Sequence, residues 1–484
     1  MASLDEIRNG RIKKIELLKN AGMEIYPAYS KCDFTLAEAQ SDFEKISKRG
    51  ESASLVGRVM SLRPQGGLCF FNFFDGTATF QGLLKIEDIG EKMFSLFVDA
   101  IDIGDFVEVS GNLFITNRGE KTISVSDWKI LSKSLLPLPE KWHGLIDIEE
   151  RYRKRYLDIL MDGELKEVFI KKALFWKAMR QFLETKGFIE VHTPTLEITT
   201  GGAEATPFKT HINDYDLDVY LRISVGELWQ KRLMSAGFPR TYEIGRVYRN
   251  EGSSPEHLQE FTNMEFYASY LNFEDGKKMV QDLYKEIAQK VFGKTKFETR
   301  GHTYDLGGEW QDLDYVDTVE KITGVNVLEA KEKDLKKKLE ELGVEYDGEN
   351  RERMSDALWK YCRRQISGPA FLINHPKLVA PLSKEHPDDL RKTKTFQVII
   401  AGSELGRAHA ELNDPIDQEL RFNEQKKLLE GGDTEAMMND TEFVEMMEHG
   451  MPPTFGFGVG ERLFAYMVDK PIRETTLFPL MRPR

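Results

Sequence analysis

The chain has 484 residues, of which 40% are hydrophobic, and its formal net charge is −13. This length predicts two or three domains with sizeable cores, and the acidic balance argues against general coating of nucleic acid, although a local basic surface stays compatible with it. No apolar run is long enough to span a membrane, so no membrane role is expected. Three scattered cysteines predict neither a disulfide framework nor a zinc site, which favours a cytoplasmic location.

The first predicted element is a basic amphipathic helix at residues 8–19. Isoleucines and leucines recur there at helical spacing, with arginine and lysine between them. Such a helix is either an ordinary solvated surface element or a contact for nucleic acid, and its own pattern does not choose between the two.

From residue 54 to about 132 the pattern changes to short β-like runs separated by glycine, aspartate and asparagine. A helical stretch around 89–100 interrupts the third and fourth runs, and five strands with a helix in that place predict a five-stranded OB barrel. Such barrels bind single-stranded nucleic acid by stacking bases on aromatic side chains. This segment contains more phenylalanines than one small core needs, so at least one should face outward, although a core position is favoured for any single one of them. They are Phe70, Phe71, Phe73, Phe74 and Phe80.

After a proline-marked stretch, apolar residues at helical spacing predict a helix over 164–186, followed by a short strand and turn. A glycine-led loop at 201–208 precedes a strand at 217–223 and a helix beginning at Glu227. The charged, helical pattern from about 307 to 389 predicts an inserted helical subdomain with a solvated surface.

An antiparallel hairpin is predicted where residues 242–248 and 261–267 alternate on either side of a polar loop. Period two places Phe261, Glu265 and Tyr267 on one face, with Arg249 at the end of the outgoing strand. A guanidinium, an aromatic plane, a carboxylate and a phenol on one surface suit a nucleotide beside an amine. Spacing alone equally fits an ordinary half-polar hairpin.

Two further segments complete the pattern near the C-terminus. Residues 396–401 and 404–411 alternate as strands, and extended geometry puts Arg407, His409 and Glu411 on one face. Residues 456–463 form a glycine-rich strand-to-helix turn, which is a weak indication of phosphate binding because it lacks the spacing of a Walker loop or a dinucleotide fingerprint.

Three motifs now stand in a characteristic order. They read GFIEVHTP at 187–194, YRNE at 248–251 running to EFTNME at 260–265, and GVGER at 458–462, with flanking signatures at 141–145, 151–158, 411–415 and 478–483. In this set the sequence resembles the class II aminoacyl-tRNA synthetases, and within them the lysine-specific branch. The resemblance covers nearly the whole chain.

The resemblance implies an α+β fold, in which an antiparallel sheet flanked by helices follows an N-terminal five-stranded OB barrel. It implies a helical segment at 1–52, an anticodon-binding OB domain at 53–134, a linker at 135–150 and a catalytic domain at 151–484 with the helical insertion around 307–389. The implied enzyme is a homodimeric ligase that uses ATP and Mg²⁺ to convert L-lysine to lysyl-adenylate, and then esterifies the 3′ end of tRNA(Lys). AMP and pyrophosphate are the implied by-products.

The resemblance also implies residue roles, carried over by matching motif positions. Catalysis falls to Arg249, Arg462 and Glu404, and ATP binding to these three with Glu251, His257 and Phe261. Lysine binding falls to Gly202, Glu227, Arg249, Glu265, Tyr267 and Glu411. Metal binding falls to Glu404, Glu411 and Gln397, and anticodon binding to Arg63, Phe70 and Gln81.

Several matched positions depart from the family pattern. Gln397 stands where the family usually has a metal-binding glutamate, Arg407 replaces an asparagine, and His409 replaces an aromatic residue. Leu258 stands where asparagine is common, and Glu461 replaces the usual aspartate. Arg407 would either neutralise Glu411 or reach the phosphates instead, and both placements remain open from sequence.

Three other functions fit part of the same sequence pattern, and each is opposed by a feature of the chain. An aspartyl or asparaginyl synthetase is opposed by Glu411, because an aspartate substrate would meet a buried like charge. Lysyl transfer to a protein is opposed by the OB domain, which such relatives generally lack. A catalytically inactive nucleic-acid binder would be expected to have lost Arg249 or Arg462.

Overall fold

The computed structural model describes residues 3–139, 145–203, 205–252, 254–346, 350–431 and 436–484. Most of the predicted signature at 141–145 therefore lies outside the described residues. The chain divides into two units, Met1–Arg151 and Tyr152–Arg484, each with its own hydrophobic core. Among the described residues, no helix combines the length and the apolar character needed to cross a membrane.

The first unit is built on a closed five-stranded barrel with the strand order β1-β2-β3-β5-β4. Two short helices lie between the third and fourth strands, where the sequence predicts a helix, so the predicted OB fold is confirmed. The elements are α1 Leu4–Asn20, α2 Leu36–Ser41, α3 Phe43–Arg49, β1 Ala53–Gln65, β2 Leu68–Phe74, β3 Thr79–Lys85, α4 Ile86–Ile89, α5 Glu91–Ala100, β4 Phe106–Ile115 and β5 Lys121–Ser132.

Strand alternation decides which phenylalanines form the barrel core. Phe71, Phe73 and Phe80 are buried, whereas Phe70 and Phe74 are only partly covered because they lie on the opposite face of β2. The expectation that at least one of these rings faces outward is therefore correct.

The predicted basic helix is α1, and two of its cations bind within the first unit. Arg11 is buried and donates to the carbonyl oxygens of Ser134 at 3.0 Å and Leu136 at 3.1 Å. Lys14 pairs with Asp102 at 2.8 Å. This face of α1 is therefore occupied by docking contacts rather than presented to solvent.

The second unit is organised on an eight-stranded sheet with the order β14-β15-β18-β19-β20-β11-β10-β6. Its strands are β6 Ile189–Glu190, β7 Leu196–Glu197, β8 Lys209–Ile212, β9 Leu217–Leu221, β10 Arg240–Tyr248, β11 Glu260–Ser269, β12 Lys296–Thr299, β13 His302–Asp305, β14 Gln311–Asp314, β15 Ala370–Ile373, β16 Glu385–His386, β17 Asp389–Thr393, β18 Thr395–Ile400, β19 Ser403–Ala410 and β20 Thr454–Gly460. Its helices, after α6 Ile148–Arg153 at the boundary, are α7 Arg155–Met161, α8 Gly163–Thr185, α9 Glu227–Ser235, α10 Phe273–Phe292, α11 Tyr315–Thr323, α12 Glu332–Leu342, α13 Arg351–Arg363, α14 Pro415–Glu430, α15 Thr441–Glu448 and α16 Arg462–Met467, with a 3₁₀ turn at Lys377–Val379.

The core of this unit lies between the sheet and two long helices, α8 and α10. Buried side chains of α8 recur at helical spacing, as in Phe175, Met179 and Phe182, and they share one core with Phe266 of β11 and Phe457 of β20. The opposite face of the sheet is therefore free to carry polar side chains. The predicted α+β fold with a sheet flanked by helices is confirmed.

The predicted helical insertion at 307–389 is only partly helical. Its helices α11, α12 and α13 lie between β14 and β15, which pair in parallel and form the end of the main sheet. Strands of four residues, one of them the polar QDLD at Gln311–Asp314, are too short for an alternation signal, so sequence periodicity missed them.

Candidate active site

The polar face of the sheet forms the floor of a cavity of about 540 Å³ in the second unit. The strands β11, β18, β19 and β20 all contribute to its lining. Every residue predicted for ATP, lysine or metal binding lines it: Gly202, Glu227, Arg249, Glu251, His257, Phe261, Glu265, Tyr267, Gln397, Glu404, Glu411 and Arg462. The structure thus brings together residues that are more than 250 positions apart in the sequence.

The predicted hairpin is formed by β10 and β11, with Tyr248 paired to Glu260 at its open end. Arg249 follows β10, and its backbone N–H donates to the carbonyl of Gln259 at 2.8 Å, which extends the ladder by one step. The Arg249 guanidinium lies 5.3 Å from the centre of the Phe261 ring. A cation and an aromatic face are therefore presented together at one point of the cavity.

A second part of the cavity, which we call the carboxylate corner, consists of Glu227, Glu265, Glu411, Tyr267 and Lys231. Lys231 is 1% exposed, and its Nζ lies 2.7 Å from Glu227 Oε1 and 2.6 Å from Glu411 Oε2. Tyr267 donates its hydroxyl to Glu265 Oε2 at 3.1 Å. Lys231 is thus shared by two buried carboxylates, and the third, Glu265, accepts from Tyr267, Asn263 and the backbone N–H of Val225.

The charge of the corner is unbalanced, and the pKa values reflect this. Burial, followed by the charge of Glu227, raises the pKa of Glu265 to about 7, and burial raises that of Glu411 to about 8. Burial alone would lower the pKa of Lys231, but Glu227 and Glu411 hold it above its ordinary value. An ammonium group entering the corner would restore full ionisation of the carboxylates, so the corner favours cationic ligands.

Two glycines allow the backbone to approach the corner closely. A Cβ at Gly456 would lie 2.1 Å from Glu411 Oε1 and 2.5 Å from a ring carbon of Tyr267. A Cβ at Gly202, where φ is +85°, would lie 2.9 Å from Glu227 Oε2. Any larger residue at Gly456 would displace the groups that form the corner.

The opposite end of the cavity is rich in guanidinium groups. Arg462 donates to the backbone carbonyl of Glu404 at 2.5 Å, and Nη1 lies 3.7 Å from Glu256 Oε2. Arg363 lies 3.8 Å from the Glu404 carboxylate. His257 lies beside Arg462, with 3.4 Å between Nε2 and Nη1, and burial followed by that charge lowers its pKa. Fixed positive charge of this kind suits phosphate groups.

The three predicted metal ligands do not form one site. Glu404 and Glu411 stand at opposite ends of β19, roughly 20 Å apart for an extended strand, and Glu411 is paired with Lys231. Gln397 donates its amide to Glu404 Oε2 at 3.2 Å, so only these two of the three are neighbours. Among the described residues, no group of three histidines, cysteines or carboxylates is placed to hold a metal ion.

Arg407 and His409, the two residues of β19 that depart from the family pattern, each have a defined hydrogen-bond partner. Arg407 Nη2 donates to the carbonyl of Val379 at 2.5 Å. Burial by itself would raise the pKa of Glu404. The charge of Arg363, the hydrogen bond from Trp359 and the charges of Arg462 and Arg407 together outweigh burial, so this pKa lies below its ordinary value. His409 Nδ1 lies 3.0 Å from the hydroxyl of Thr395. Arg407 therefore belongs to the guanidinium end and does not pair with Glu411.

The predicted anticodon residues lie in the first unit, on one outer face of the barrel. Arg63 is directly opposite Phe70 in the β1–β2 pair, and Asn72, on the same face as Phe70, is opposite Gln81. Arg63 is exposed, Phe70 is partly exposed, and Gln81 accepts a hydrogen bond from Thr122 at 2.8 Å. A cation, a ring and an amide are thus presented side by side.

Sequence reasoning missed several residues that shape the cavity. Lys231 completes the carboxylate corner, and its position four residues after Glu227 on α9 was an available signal for that pair. Trp359, Arg363 and His375 come from distant segments and contact Glu404 or Gln397. No local pattern marks these three, because Trp359 and Arg363 are placed by the packing of α13 beside the sheet, and His375 by the pairing of β15 with β18.

Comparison with known proteins agrees with this geometry. Residues 147–482 match the family described as tRNA synthetases class II (D, K and N), and residues 53–131 match the OB-fold nucleic acid binding domain. The lysine–tRNA ligases of Thermotoga maritima and Roseiflexus sp. (strain RS-1) are each 41% identical over 99% of this chain, which covers 97% and 99% of their lengths. The lysine–tRNA ligase of Thermoanaerobacter pseudethanolicus is 39% identical over 99% of this chain and 97% of its own length.

The sheet, the cavity motifs and the OB barrel together define a class II aminoacyl-tRNA synthetase, which confirms the resemblance seen in the sequence. Within that class, the three relatives named above are all lysine–tRNA ligases, and each matches 99% of this chain at 39% to 41% identity. The chain belongs to the lysine–tRNA ligase family.

Proposed function

We propose that this protein activates L-lysine with ATP to form lysyl-adenylate and pyrophosphate, and then transfers the lysyl group to the 3′ end of tRNA(Lys). The observation that carries the proposal is the carboxylate corner. Glu227, Glu265 and Glu411 supply three carboxyl groups against the single ammonium of Lys231, so their full ionisation would exceed the charge of Lys231 by two. Lysine brings two ammonium groups, and both would be neutralised there.

We assign the two ammonium groups of lysine to different acceptors in this corner. Glu227 and Glu265, beside the backbone of Gly202, are proposed to receive the α-amino group, and Glu411 with Tyr267 the ε-amino group. If the substrate were aspartate, its side-chain carboxylate would lie against the buried carboxylate of Glu411, at a cost of several kcal/mol. The aspartyl alternative is therefore disfavoured by this geometry, and the neutral side chain of asparagine would bring no cation to the carboxylate corner.

The guanidinium end is proposed to hold ATP. Arg249 is positioned to bridge the lysine carboxylate and the α-phosphate, since its planar fork binds two oxygens at once. Phe261 and Arg462 would cover the two faces of the adenine, Glu251 would accept from its amino group, and His257 would lie near the phosphates. Adenylation needs in-line placement and neutralisation of charge rather than covalent help, and these residues supply both.

Mg²⁺ is proposed to enter as part of the ATP substrate, where it would neutralise phosphate oxygens. Glu404 is the carboxylate of this chain suited to contact it, because it lies among the cavity-lining groups of the guanidinium end. We further propose a homodimer acting in the cytoplasm. Sedimentation of the purified chain at twice the monomer mass of 55.7 kDa would support the dimer, and sedimentation at the monomer mass would reject it.

The decisive experiment is ATP–pyrophosphate exchange with each of the twenty amino acids. Exchange is expected with lysine, at least about a hundredfold above the others if one buried ion pair sets the selectivity. Strong exchange with aspartate or asparagine and none with lysine would reject the proposed substrate. The absence of exchange with every amino acid would instead reject the proposed reaction.

A Gly456→Ala substitution is expected to raise the lysine KM by tenfold or more, on the order of 1.4 kcal/mol, while changing the ATP KM little. The added Cβ would lie 2.1 Å from Glu411 Oε1 and must displace it. Gly163→Ala is the matched control, because a Cβ there meets nothing within 4 Å. An unchanged lysine KM in Gly456→Ala would show that the corner does not bind the substrate.

The barrel of the first unit, residues 53–134, is proposed to bind the anticodon through Arg63, Phe70 and Gln81. Phe70→Ala should raise the tRNA KM about 5- to 150-fold, since stacking on one base contributes about 1–3 kcal/mol, and should leave pyrophosphate exchange unchanged. Tyr29→Ala, which removes an 81% exposed ring from the same unit, is the control. A parallel loss of exchange in Phe70→Ala would contradict this division of labour between the units.

A further inference from the structure

The strands β18 and β19 place Gln397 and Arg407 directly opposite each other at the guanidinium end of the cavity. Both orientations are held by named contacts. Gln397 Oε1 lies 3.0 Å from His375 Nε2, and its amide nitrogen donates to Glu404 Oε2 at 3.2 Å. Arg407 donates to the carbonyl of Val379 at 2.5 Å. Hydrogen bonds to the surrounding protein therefore hold both side chains in the wall of the cavity.

Glu404 is the carboxylate in hydrogen-bond contact with this pair, and two other acidic residues of the cavity lining have cationic partners: Glu256 lies 3.7 Å from Arg462, and Asp356 lies 2.7 Å from Lys360. Glu404 Oε1 accepts from the Trp359 indole at 2.7 Å, so both oxygens of Glu404 already have a neutral donor. Mg²⁺ bound by proteins takes one or two carboxylates together with water and phosphate oxygens. Within the described parts of the chain there is no cluster of three ligating side chains for it. Glu404 therefore suits one ion shared with a nucleotide, and a second ion would lack a bridging carboxylate.

Positive charge, by contrast, is abundant. Arg363, Arg407 and Arg462 all line this end of the cavity, and all three act on the ionisation of Glu404. Guanidinium groups are permanently charged and bind phosphate through paired N–H donors. The polyphosphate of ATP can thus be neutralised here by these side chains together with one accompanying ion, at the position where a carboxylate at 397 would otherwise recruit a further cation.

We propose that Gln397 and Arg407 replace a protein-held metal ion, so that ATP binds with only the ion that accompanies it and Arg407 neutralises the phosphates in place of a second one. This inference rests on the proposed function. Gln397, being uncharged, leaves the Arg407 guanidinium free of an opposing carboxylate on the facing strand. Arg407 is the group that touches nucleotide, and Gln397 is a positioning residue that orients Glu404.

The test counts ions directly. The full chain is titrated with Mn²⁺ in the presence of a non-hydrolysable ATP analogue, and bound Mn²⁺ is measured by electron paramagnetic resonance. One Mn²⁺ per active site is expected. Two or more per site in the unaltered protein would overturn the proposal. Since this measurement needs neither lysine nor turnover, it is independent of the exchange assay that tests the proposed function.

A charge exchange between the strands supplies the second measurement. The double variant Gln397→Glu with Arg407→Asn should bind one additional Mn²⁺ per site, because a second carboxylate then adjoins Glu404 and the opposing guanidinium is gone. Gln397→Glu alone should gain no ion, since Arg407 would pair with the new carboxylate. A folded double variant, verified by its melting temperature, that still binds one ion would overturn the replacement.

The single substitution Arg407→Asn separates binding of nucleotide from structure. It should weaken binding of the ATP analogue about 10- to 100-fold, the size of a charge-assisted hydrogen bond, without changing the lysine KM. Arg407→Lys, which keeps the charge, should recover most of that affinity. Equal weakening in both variants, or an unchanged affinity in Arg407→Asn, would overturn the role assigned to Arg407.

Discussion

Replacing Arg249 with alanine is expected to reduce lysine-dependent pyrophosphate exchange by at least about 10³-fold, which corresponds to about 4 kcal/mol of transition-state stabilisation. The guanidinium extends from the end of β10 into the cavity, 5.3 Å from the Phe261 ring. Alanine would remove the one group proposed to touch both reactants, the lysine carboxylate and the α-phosphate. Arg249→Lys should recover little, because an ammonium group cannot bind two oxygens in the same plane.

The control for this substitution lies three residues earlier on the same strand. Arg246 belongs to the hairpin but does not line the cavity, and its Nε lies 3.6 Å from Glu260 at a half-exposed position. Arg246→Ala should therefore retain exchange. Binding of tRNA(Lys), measured by filter retention, should be nearly unchanged in Arg249→Ala. An equal loss of tRNA binding and exchange would refute the role proposed for Arg249.

Glu411→Gln is expected to lower kcat/KM for lysine about 100-fold, about 3 kcal/mol, mainly through a higher lysine KM, while the ATP KM changes little. The amide keeps the shape of the side chain but removes one charge from the carboxylate corner. Lys231 then retains Glu227 as its partner, so the fold should persist with a modest loss of stability. Melting temperature would check this.

The selectivity of the variant distinguishes recognition from general damage. Norleucine has the four-carbon side chain of lysine without the ε-ammonium group, so the ratio of kcat/KM for lysine over norleucine should fall in Glu411→Gln. Glu419→Gln, on the exposed side of α14, is the matched control and should change neither substrate. If the lysine and ATP KM values rose together, or if the ratio stayed constant, Glu411 would not be the ε-amino acceptor.

Much of the local structure was predictable, because it follows from short-range periodicity. The alternation on both sides of the loop predicts the β10–β11 hairpin, and β11 does turn Phe261, Glu265 and Tyr267 toward one cavity. The five runs with one helical interruption predict the barrel, and the apolar spacing of 164–186 predicts α8. In each case one face of the element is buried, so the pattern of burial is written in the pattern of residues.

Two expectations from the sequence differ from the structure. The segment 307–389 was assigned by its charged helical pattern, yet two short strands in it complete the main sheet. The resemblance names Glu404, Glu411 and Gln397 as metal ligands, whereas the structure separates Glu404 from Glu411 by nearly the length of β19. The first difference concerns the pairing of distant segments, which local patterns do not encode, whereas the second follows from the extended geometry of residues 404–411 itself.

The sequence by itself determined the order of the motifs, the hairpin, the barrel and the residues that bear charge. Only the tertiary structure decided how those charges are shared. Lys231 and Glu411 are separated by 180 positions, and their 2.6 Å contact forms only because α9 and β19 approach the same corner. Arg407 has a sequence position that fits either end of the cavity, and it lies at the guanidinium end because Val379 accepts its hydrogen bond there. A buried charge takes its role from the partners that packing supplies, and those partners are distant in the chain.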